Sequence, residues 1–203
     1  MSRSKRLSGA QRRAQLIEVG CHVFAEHGYA ATSVEEIARS ASVSKPIIYE
    51  HFGGKEGLYA VIVDREMETL FKQMSDAISQ GSPRKLFEQA VAAFLDYVDD
   101  RPDGFAVLTR NSPVTTGGSG MRLVMSDVGV RVSEIFAAEF VRAGYDPAYA
   151  PIYAQGLIGM VTMAGQWWVE SKELPKHEVA RHVAALGYMG LRHLPKDPHI
   201  SDE

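Results

Sequence analysis

Eight side chains between Thr32 and Lys55 have the chemistry of a nucleic-acid contact. They combine hydroxyl groups, ammonium groups, an imidazole, a phenol and apolar groups: Thr32, Ser44, Lys45, Pro46, Ile47, Tyr49, His51 and Lys55. Base edges are read by hydrogen bonds and by apolar contact with a thymine methyl group, whereas cations and hydroxyl groups hold phosphates. A purely structural helix of this length normally shows water a more uniformly charged surface. The mixture therefore favours DNA contact over an ordinary helical hairpin, which remains the alternative.

Two short helices at a tight turn are needed to position these side chains. Thr32 and Glu35 have the spacing of a capping box, which predicts the start of the first helix. Ser44 predicts the cap of the second helix, with Pro46 in its first turn, where the missing N–H costs little. Gly53-Gly54 predicts its end. This arrangement is a helix-turn-helix. We expect the first residues of its second helix to lie nearest the bases: Ser44, Lys45, Pro46 and Ile47.

Residues 32–58 (TSVEEIARSASVSKPIIYEHFGGKEGL) resemble the DNA-binding signature of the TetR, or tetracycline-repressor-like, transcriptional regulators. The segments I-A, V-S, Y-x-H-F and K-E-x-L all fall at the spacing of that family, and the close resemblance covers residues 10–65. Pro46 stands where glycine is common, and Gly53 where a small polar residue is common. The resemblance implies phosphate contacts at the matching positions Thr32, Tyr49, His51 and Lys55. It also implies a dimer formed through the last two long helices.

The charge of the chain is unevenly distributed. The net charge is −3, yet residues 1–60 carry eight lysines and arginines against six acidic residues, while the remainder carries fourteen against nineteen. We therefore expect DNA contact to be confined to the N-terminal part. The first thirteen residues contain five cations and no acid: Arg3, Lys5, Arg6, Arg12 and Arg13. This stretch is either a basic arm that reaches a neighbouring groove or a solvated, disordered terminus.

Helical periodicity continues to the end of the chain, without the alternation typical of strands. We predict an all-α fold with two parts: a three-helix DNA-binding domain over residues 1–55, with its basic arm, and a larger helical domain over 56–203 for effector binding and dimerisation. The last two helices, predicted at 147–171 and 175–193, are apolar and rich in small residues. Because one chain cannot cover them, we expect a homodimer through a four-helix packing. Its two-fold axis would match a palindromic operator in double-stranded DNA.

Aromatic and methionine side chains of the second part are candidates for a cavity that binds a hydrophobic or aromatic effector. With two polar anchors, the set is Phe94, Tyr97, Phe105, Arg110, Met121, Met125, Tyr153, Gln155, Met163 and Trp167. Such residues at helical spacing are more often plain core, and it is the family resemblance that implies a pocket. The low-complexity run 113–120 is a lid or merely a loop. The second possibility is a regulator without an effector, whose larger helical domain serves only dimerisation or binding of a protein partner.

Other classes of protein find little support in the sequence. We expect no enzyme, because no Ser/His/Asp set and no paired carboxylates stand at working spacing. We expect no cofactor and no metal, because Cys21, His22 and His27 have no matching second pair of ligands. Cys21 lies at helical spacing with Ile17 and Phe24, which favours a buried, inert thiol over a redox sensor. No apolar run has the length of a membrane span and no signal-peptide pattern is present, so we expect a cytoplasmic protein.

Overall fold

The computed structural model describes residues 7–77, 80–109 and 120–195, without the side chains of 83 and 120–128. Within these ranges the chain is helical and contains no strand, so the predicted all-α fold is confirmed. The helices are α1 (Gly9–Ala31), α2 (Val34–Ser40), α3 (Lys45–Phe52), α4 (Lys55–Ala77), α5 (Pro83–Asp100), α6 (Pro102–Thr109), α7 (Gly120–Ala143), α8 (Ala150–Ser171) and α9 (Lys176–Arg192), with a 3₁₀ turn at Pro147–Tyr149. None of the helices in these ranges combines the length and apolarity needed to cross a membrane.

The chain forms two compact units. The first comprises Met1–Thr69 and Arg101–Val124, and the second comprises Leu70–Asp100 and Met125–Glu203. Helix α4 therefore begins in the first unit and continues into the second, and α6 packs with the first. The expected boundary between residues 55 and 56 differs from this division. The expected boundary separates a DNA-binding part from an effector-binding part, whereas the two units are defined by packing. As a boundary between functions it stays a prediction.

The core of the first unit is built where α1 meets α4. Leu16, Leu58 and Ile62 are fully buried, and each contributes about 1.5–3 kcal/mol through the apolar surface removed from water. The helices approach closely because Gly20 has no side chain: a Cβ there would lie 3.0 Å from side-chain carbons of both Leu58 and Ile62. The same face of α1 is buried along Leu16, Ile17, Gly20, Val23 and Phe24.

Polar contacts attach α6 to α1 and α4 within the same unit. The Glu66 carboxylate on α4 is fully buried and accepts two hydrogen bonds from the Arg101 guanidinium, one of them 2.9 Å long from Nε to Oε2. These hydrogen bonds raise the pKa of Arg101. His22 on α1 contacts Asp103 on α6, with 2.9 Å between Nδ1 and Oδ2. Burial, aided by the charge of Glu66, raises the pKa of Cys21 to about 12, so its thiol is uncharged at neutral pH.

The second unit is built around α5. Tyr97 and Val98 are fully buried, and a Cβ added at Gly165 of α8 would lie 2.8 Å from the Phe94 ring. The loop between α8 and α9 is tied down by Trp168, whose Nε1 donates to the Leu174 carbonyl at 2.9 Å. These contacts fix the direction in which the last two helices run.

Candidate nucleic-acid interface

Helices α2 and α3 form the predicted helix-turn-helix. The backbone N–H of Val43 donates to the Ala38 carbonyl at 2.9 Å, and that of Ser42 donates to the Arg39 carbonyl at 3.0 Å. This pair of bonds is a Schellman motif, with Ser42 at the left-handed position with a φ of 54°. Gln15 of α1 donates to the Ala41 carbonyl at 3.3 Å, which holds the turn against α1. The turn therefore has a fixed geometry set by hydrogen bonds on both sides.

The predicted start of α2 is wrong by one residue. Ser33, not Thr32, caps the helix, and its hydroxyl accepts from the Glu36 N–H at 3.1 Å. Thr32 ends α1 instead. Its side chain is buried, and its hydroxyl donates to the Gly28 carbonyl at 2.8 Å. The Thr32 hydroxyl is thus buried and engaged in the free protein, and a phosphate contact by this side chain stays a prediction. Ser33, which is exposed, is the residue that sequence reasoning missed, because two adjacent hydroxyl residues are equally good caps.

The beginning of α3 presents its polar and apolar groups outward. Ser44, Lys45 and Pro46 are exposed, and the Ser44 hydroxyl makes no capping bond. Ile47 and His51 are half-buried and Tyr49 is 54% exposed. All the predicted base-contacting residues thus lie on or beside one accessible face. Ile48 points the other way and is fully buried, which fixes the orientation of this face.

Two cations of the predicted basic arm belong to helix α1 of the first unit. Arg12 and Arg13 lie in the first turns of α1, and the Arg13 guanidinium stacks 4.5 Å from the centroid of the Phe52 ring. Arg12 donates to the Gln15 side chain at 2.5 Å. The remaining arm residues, Arg3, Lys5 and Arg6, lie outside the described residues. Phe52 is half-buried, and the Arg13 guanidinium covers its ring.

Lys55 is engaged in holding the first unit together. Its Nζ donates to the carbonyls of Tyr29 and Thr32, each at 2.9 Å, and lies 4.2 Å from the centroid of the Tyr29 ring. These carbonyls belong to the end of α1, where a helix has unsatisfied acceptors and a partial negative charge. The ammonium therefore clamps the start of α4 to the end of α1. Two of the three N–H donors of the Lys55 ammonium are therefore engaged within the fold. A phosphate contact by Lys55 stays a prediction.

Replacing Lys55 by methionine tests this clamp. Because two charge-assisted hydrogen bonds are lost, we expect Lys55→Met to lower the free energy of unfolding by about 2 kcal/mol. Lys72→Met is the matched control on the same helix: Lys72 is 77% exposed and, among the described residues, pairs with Asp76 one turn away, so we expect less than about 0.5 kcal/mol. Urea unfolding followed by circular dichroism measures both. Equal midpoints for the two variants would show that Lys55 has no structural role.

The candidates for an effector site lie in several environments. Phe94 and Tyr97 are buried in the second unit and Phe105 in the first. Tyr153 packs edge-on against Phe140, with 5.3 Å between ring centroids. The exposed or undescribed candidates complete the set: Gln155 is exposed, Met163 and Trp167 are 63% and 46% exposed, and Arg110, Met121 and Met125 lie outside the described side chains.

The exposed positions of Met163 and Trp167 differ from the interior placement expected of them. The reason is that α8 turns only one face towards α5, where Gly165 and Trp168 are buried.

The described residues contain no group of three His, Cys, Asp or Glu side chains arranged to hold a metal ion.

A helix-turn-helix head joined by a long helix to a helical body defines a class of transcriptional regulators. Residues 16–62 match the family model "Bacterial regulatory proteins, tetR family", and residues 72–198 match "Tetracyclin repressor-like, C-terminal domain". The chain belongs to the TetR family of DNA-binding transcriptional regulators.

Individual relatives agree with this assignment. The HTH-type transcriptional activator FasR of Mycolicibacterium smegmatis is 26% identical over 195 residues, covering 95% of this chain and 89% of FasR. The HTH-type transcriptional repressor KstR2 of Rhodococcus jostii is 28% identical over 97 residues, covering 47% of this chain and 48% of KstR2. A TetR-like transcriptional regulator from Rhodococcus sp. RHA1 has a similar structure, with a TM-score of 0.76 at 26% identity over 93% of this chain and 100% of that chain. These relatives are regulators rather than enzymes, and they include an activator and a repressor.

Proposed function

We propose that this protein is a repressor that binds a palindromic operator as a homodimer and is released by a small hydrophobic or aromatic effector. The observation that carries the proposal is the accessible start of α3, where a hydroxyl, an ammonium and an apolar ring stand together on a helix fixed by the buried Ile48. The first residues of a recognition helix are those that reach base edges in the major groove. The proposed site of action is the chromosome, in the cytoplasm.

The exposed faces of α8 and α9 support the dimer. Their large apolar side chains are far more exposed than a lone helix pair tolerates: Ile152 66%, Met163 63%, Trp167 46%, Leu186 67% and Met189 49%. Gly156, Gly159 and Gly190 lie among them with open space where a Cβ would stand. Contiguous apolar surface of this kind marks an interface, and the glycines allow a second helix to approach closely. A second copy presenting the same two helices completes a four-helix packing.

Two-fold symmetry gives the proposed operator its form. One recognition helix contacts only a few base pairs, whereas two helices about 34 Å apart lie in successive major grooves and read two half-sites. Tyr49, His51 and Ser33 flank the α3 face and are the proposed phosphate contacts. They set the position of the protein on the duplex but do not read the sequence.

Lys45→Ala tests the contact with the bases. The probes are a duplex enriched from a random pool by the wild-type protein and a scrambled duplex of the same composition. We expect the affinity for the enriched duplex to fall about 5- to 100-fold, since one good base contact contributes about 1–3 kcal/mol, with a much smaller loss on the scrambled duplex. Lys72→Ala, outside the proposed face, is the control and should change neither affinity. Equal losses on both duplexes would contradict a base-reading role for Lys45.

The effector part of the proposal follows from thermodynamic linkage. A ligand that binds better to a state with misplaced recognition helices lowers the affinity for DNA by the same factor by which DNA lowers the affinity for the ligand. An effector-independent regulator, whose body serves only dimerisation or a protein partner, is the second candidate. Loss of operator binding on adding a hydrophobic small molecule distinguishes them, because only the first candidate responds.

A further inference from the structure

The first turn of α2 places two carboxylates beside the proposed DNA-binding face, and they have different partners. The Glu35 carboxylate forms an ion pair with the Lys45 ammonium across the helix-turn-helix, from α2 to the first residue of α3. Glu36 lies next to it in sequence but pairs with α1, where its Oε1 is 3.3 Å from Nε2 of His27. Of these two neighbouring acids, only Glu35 is paired with a cation of the recognition helix.

We propose that Glu35 attenuates DNA binding through Lys45: it holds Lys45 in the free protein and on random DNA, and releases it when an acceptor on a base edge of the operator replaces the carboxylate. The inference rests on the proposed docking of α3 in the major groove and assigns that surface a residue that does not read DNA itself. Glu35 acts through Lys45 and is therefore a positioning residue.

The exposure of this pair makes such an exchange possible. The Lys45 and Glu35 side chains are 48% and 57% exposed, and exposed ion pairs are weak enough to be broken by a competing partner. A phosphate on a random duplex competes with a carboxylate that is already in place, so Lys45 contributes little there. A base edge offers a directional acceptor as well as the potential of the groove. Because the operator complex must break the pair and a random complex keeps it, the pair lowers specific affinity at least as much as non-specific affinity.

The salt dependence of binding gives a readout that a structural role would not change. Each phosphate that a cation neutralises releases counterions and contributes about 0.9 to the slope of log K against log salt concentration. While Glu35 holds Lys45, this contribution is largely cancelled on a random duplex. Removing the carboxylate releases the cation to a phosphate and restores it.

The experiment compares Glu35→Gln with Glu36→Gln, which removes the same charge one residue away. The probes are the scrambled duplex and the enriched duplex defined above, titrated over a salt series by fluorescence anisotropy. Because the pair is broken only in the operator complex, we expect Glu35→Gln to tighten binding to the enriched duplex by about 1.5- to 5-fold, the energy of an exposed ion pair. Binding to the scrambled duplex should tighten by no more than this factor at low salt, with a slope steeper by about 0.9. Glu36→Gln should give less than half of either effect on the scrambled duplex, and the Glu35→Gln effect should disappear in a Lys45→Gln background.

Two results would overturn the inference. Equal effects of Glu35→Gln and Glu36→Gln would show that only the total charge matters, and an effect that persists in the Lys45→Gln background would show that Glu35 does not act through Lys45. Failure of the proposed DNA-binding face looks different: Lys45→Gln alone would then leave affinity and salt slope unchanged on both duplexes.

Discussion

Gly57→Ala is expected to displace the recognition helix and destabilise the first unit. A Cβ at this position would lie 1.9 Å from the carbonyl oxygen of Phe52, the last residue of α3. No rotamer change relieves this collision, because the Cβ and the oxygen are both fixed by the backbone. The turn between α3 and α4 must open. Alanine is the better helix former by about 0.5–1 kcal/mol, but the overpacking costs about 1–3 kcal/mol or more, so we expect a net loss of about 2 kcal/mol.

The measurements for Gly57→Ala are thermal unfolding and DNA binding at low temperature, where the variant remains folded. Because the end of α3 has moved, operator affinity should fall even in the folded variant. Gly9→Ala is the control in the same unit, since a Cβ at Gly9 meets nothing within 4 Å. It should leave both quantities close to wild type. A Gly57→Ala protein with wild-type stability and affinity would show that the close approach of α4 to Phe52 is not required.

Arg101→Met is expected to have an even larger effect on stability. The Glu66 carboxylate is fully buried, and the Arg101 guanidinium donates to both of its oxygens. Removing the guanidinium leaves a buried negative charge without its main compensation, which typically costs about 3–5 kcal/mol. Arg65→Met is the matched control: Arg65 contacts Glu18 at 2.7 Å, but both side chains are well exposed, so the expected loss is below about 1 kcal/mol.

A second variant separates a charge effect from lost packing. Replacing both partners, Glu66→Met with Arg101→Met, removes the buried charge and should recover most of the stability, because an apolar pair of similar volume is often as stable as the ion pair. Urea unfolding of the single and double variants measures this recovery. If the double variant is no more stable than Arg101→Met, the loss comes from the packing of the arginine stem.

The sequence predicted the helices well because their signals are local. The start of α3 at Ser44 and its end at Gly53 each depend on residues within one or two turns. The Glu66–Arg101 pair was not predicted, because it joins residues 35 positions apart and the sequence around each residue contains no signal of the other. The inclusion of α6 in the first unit was missed for the same reason. Contacts between distant segments depend on packing, which a periodic pattern does not encode.

The candidate interface was predicted in outline and revised in detail. The choice between Thr32 and Ser33 as a cap depends on which hydroxyl faces the core, and sequence spacing does not distinguish them. Lys55 has the right charge for a phosphate, but the carbonyls at the end of α1 that engage it are more than twenty residues away. The accessible start of α3 was predicted because its mixed hydroxyl, ammonium and apolar side chains are a local signal.

We propose that two copies of this chain, paired through α8 and α9, bind one operator through α3. The most direct test of this proposal is native mass spectrometry of the complex with DNA from immediately upstream of the protein's own gene, with affinities measured at two salt concentrations. We expect two chains per operator and an affinity that falls steeply with salt and exceeds that for a scrambled duplex. A complex with one chain per duplex, or equal affinity for the scrambled sequence, would contradict it.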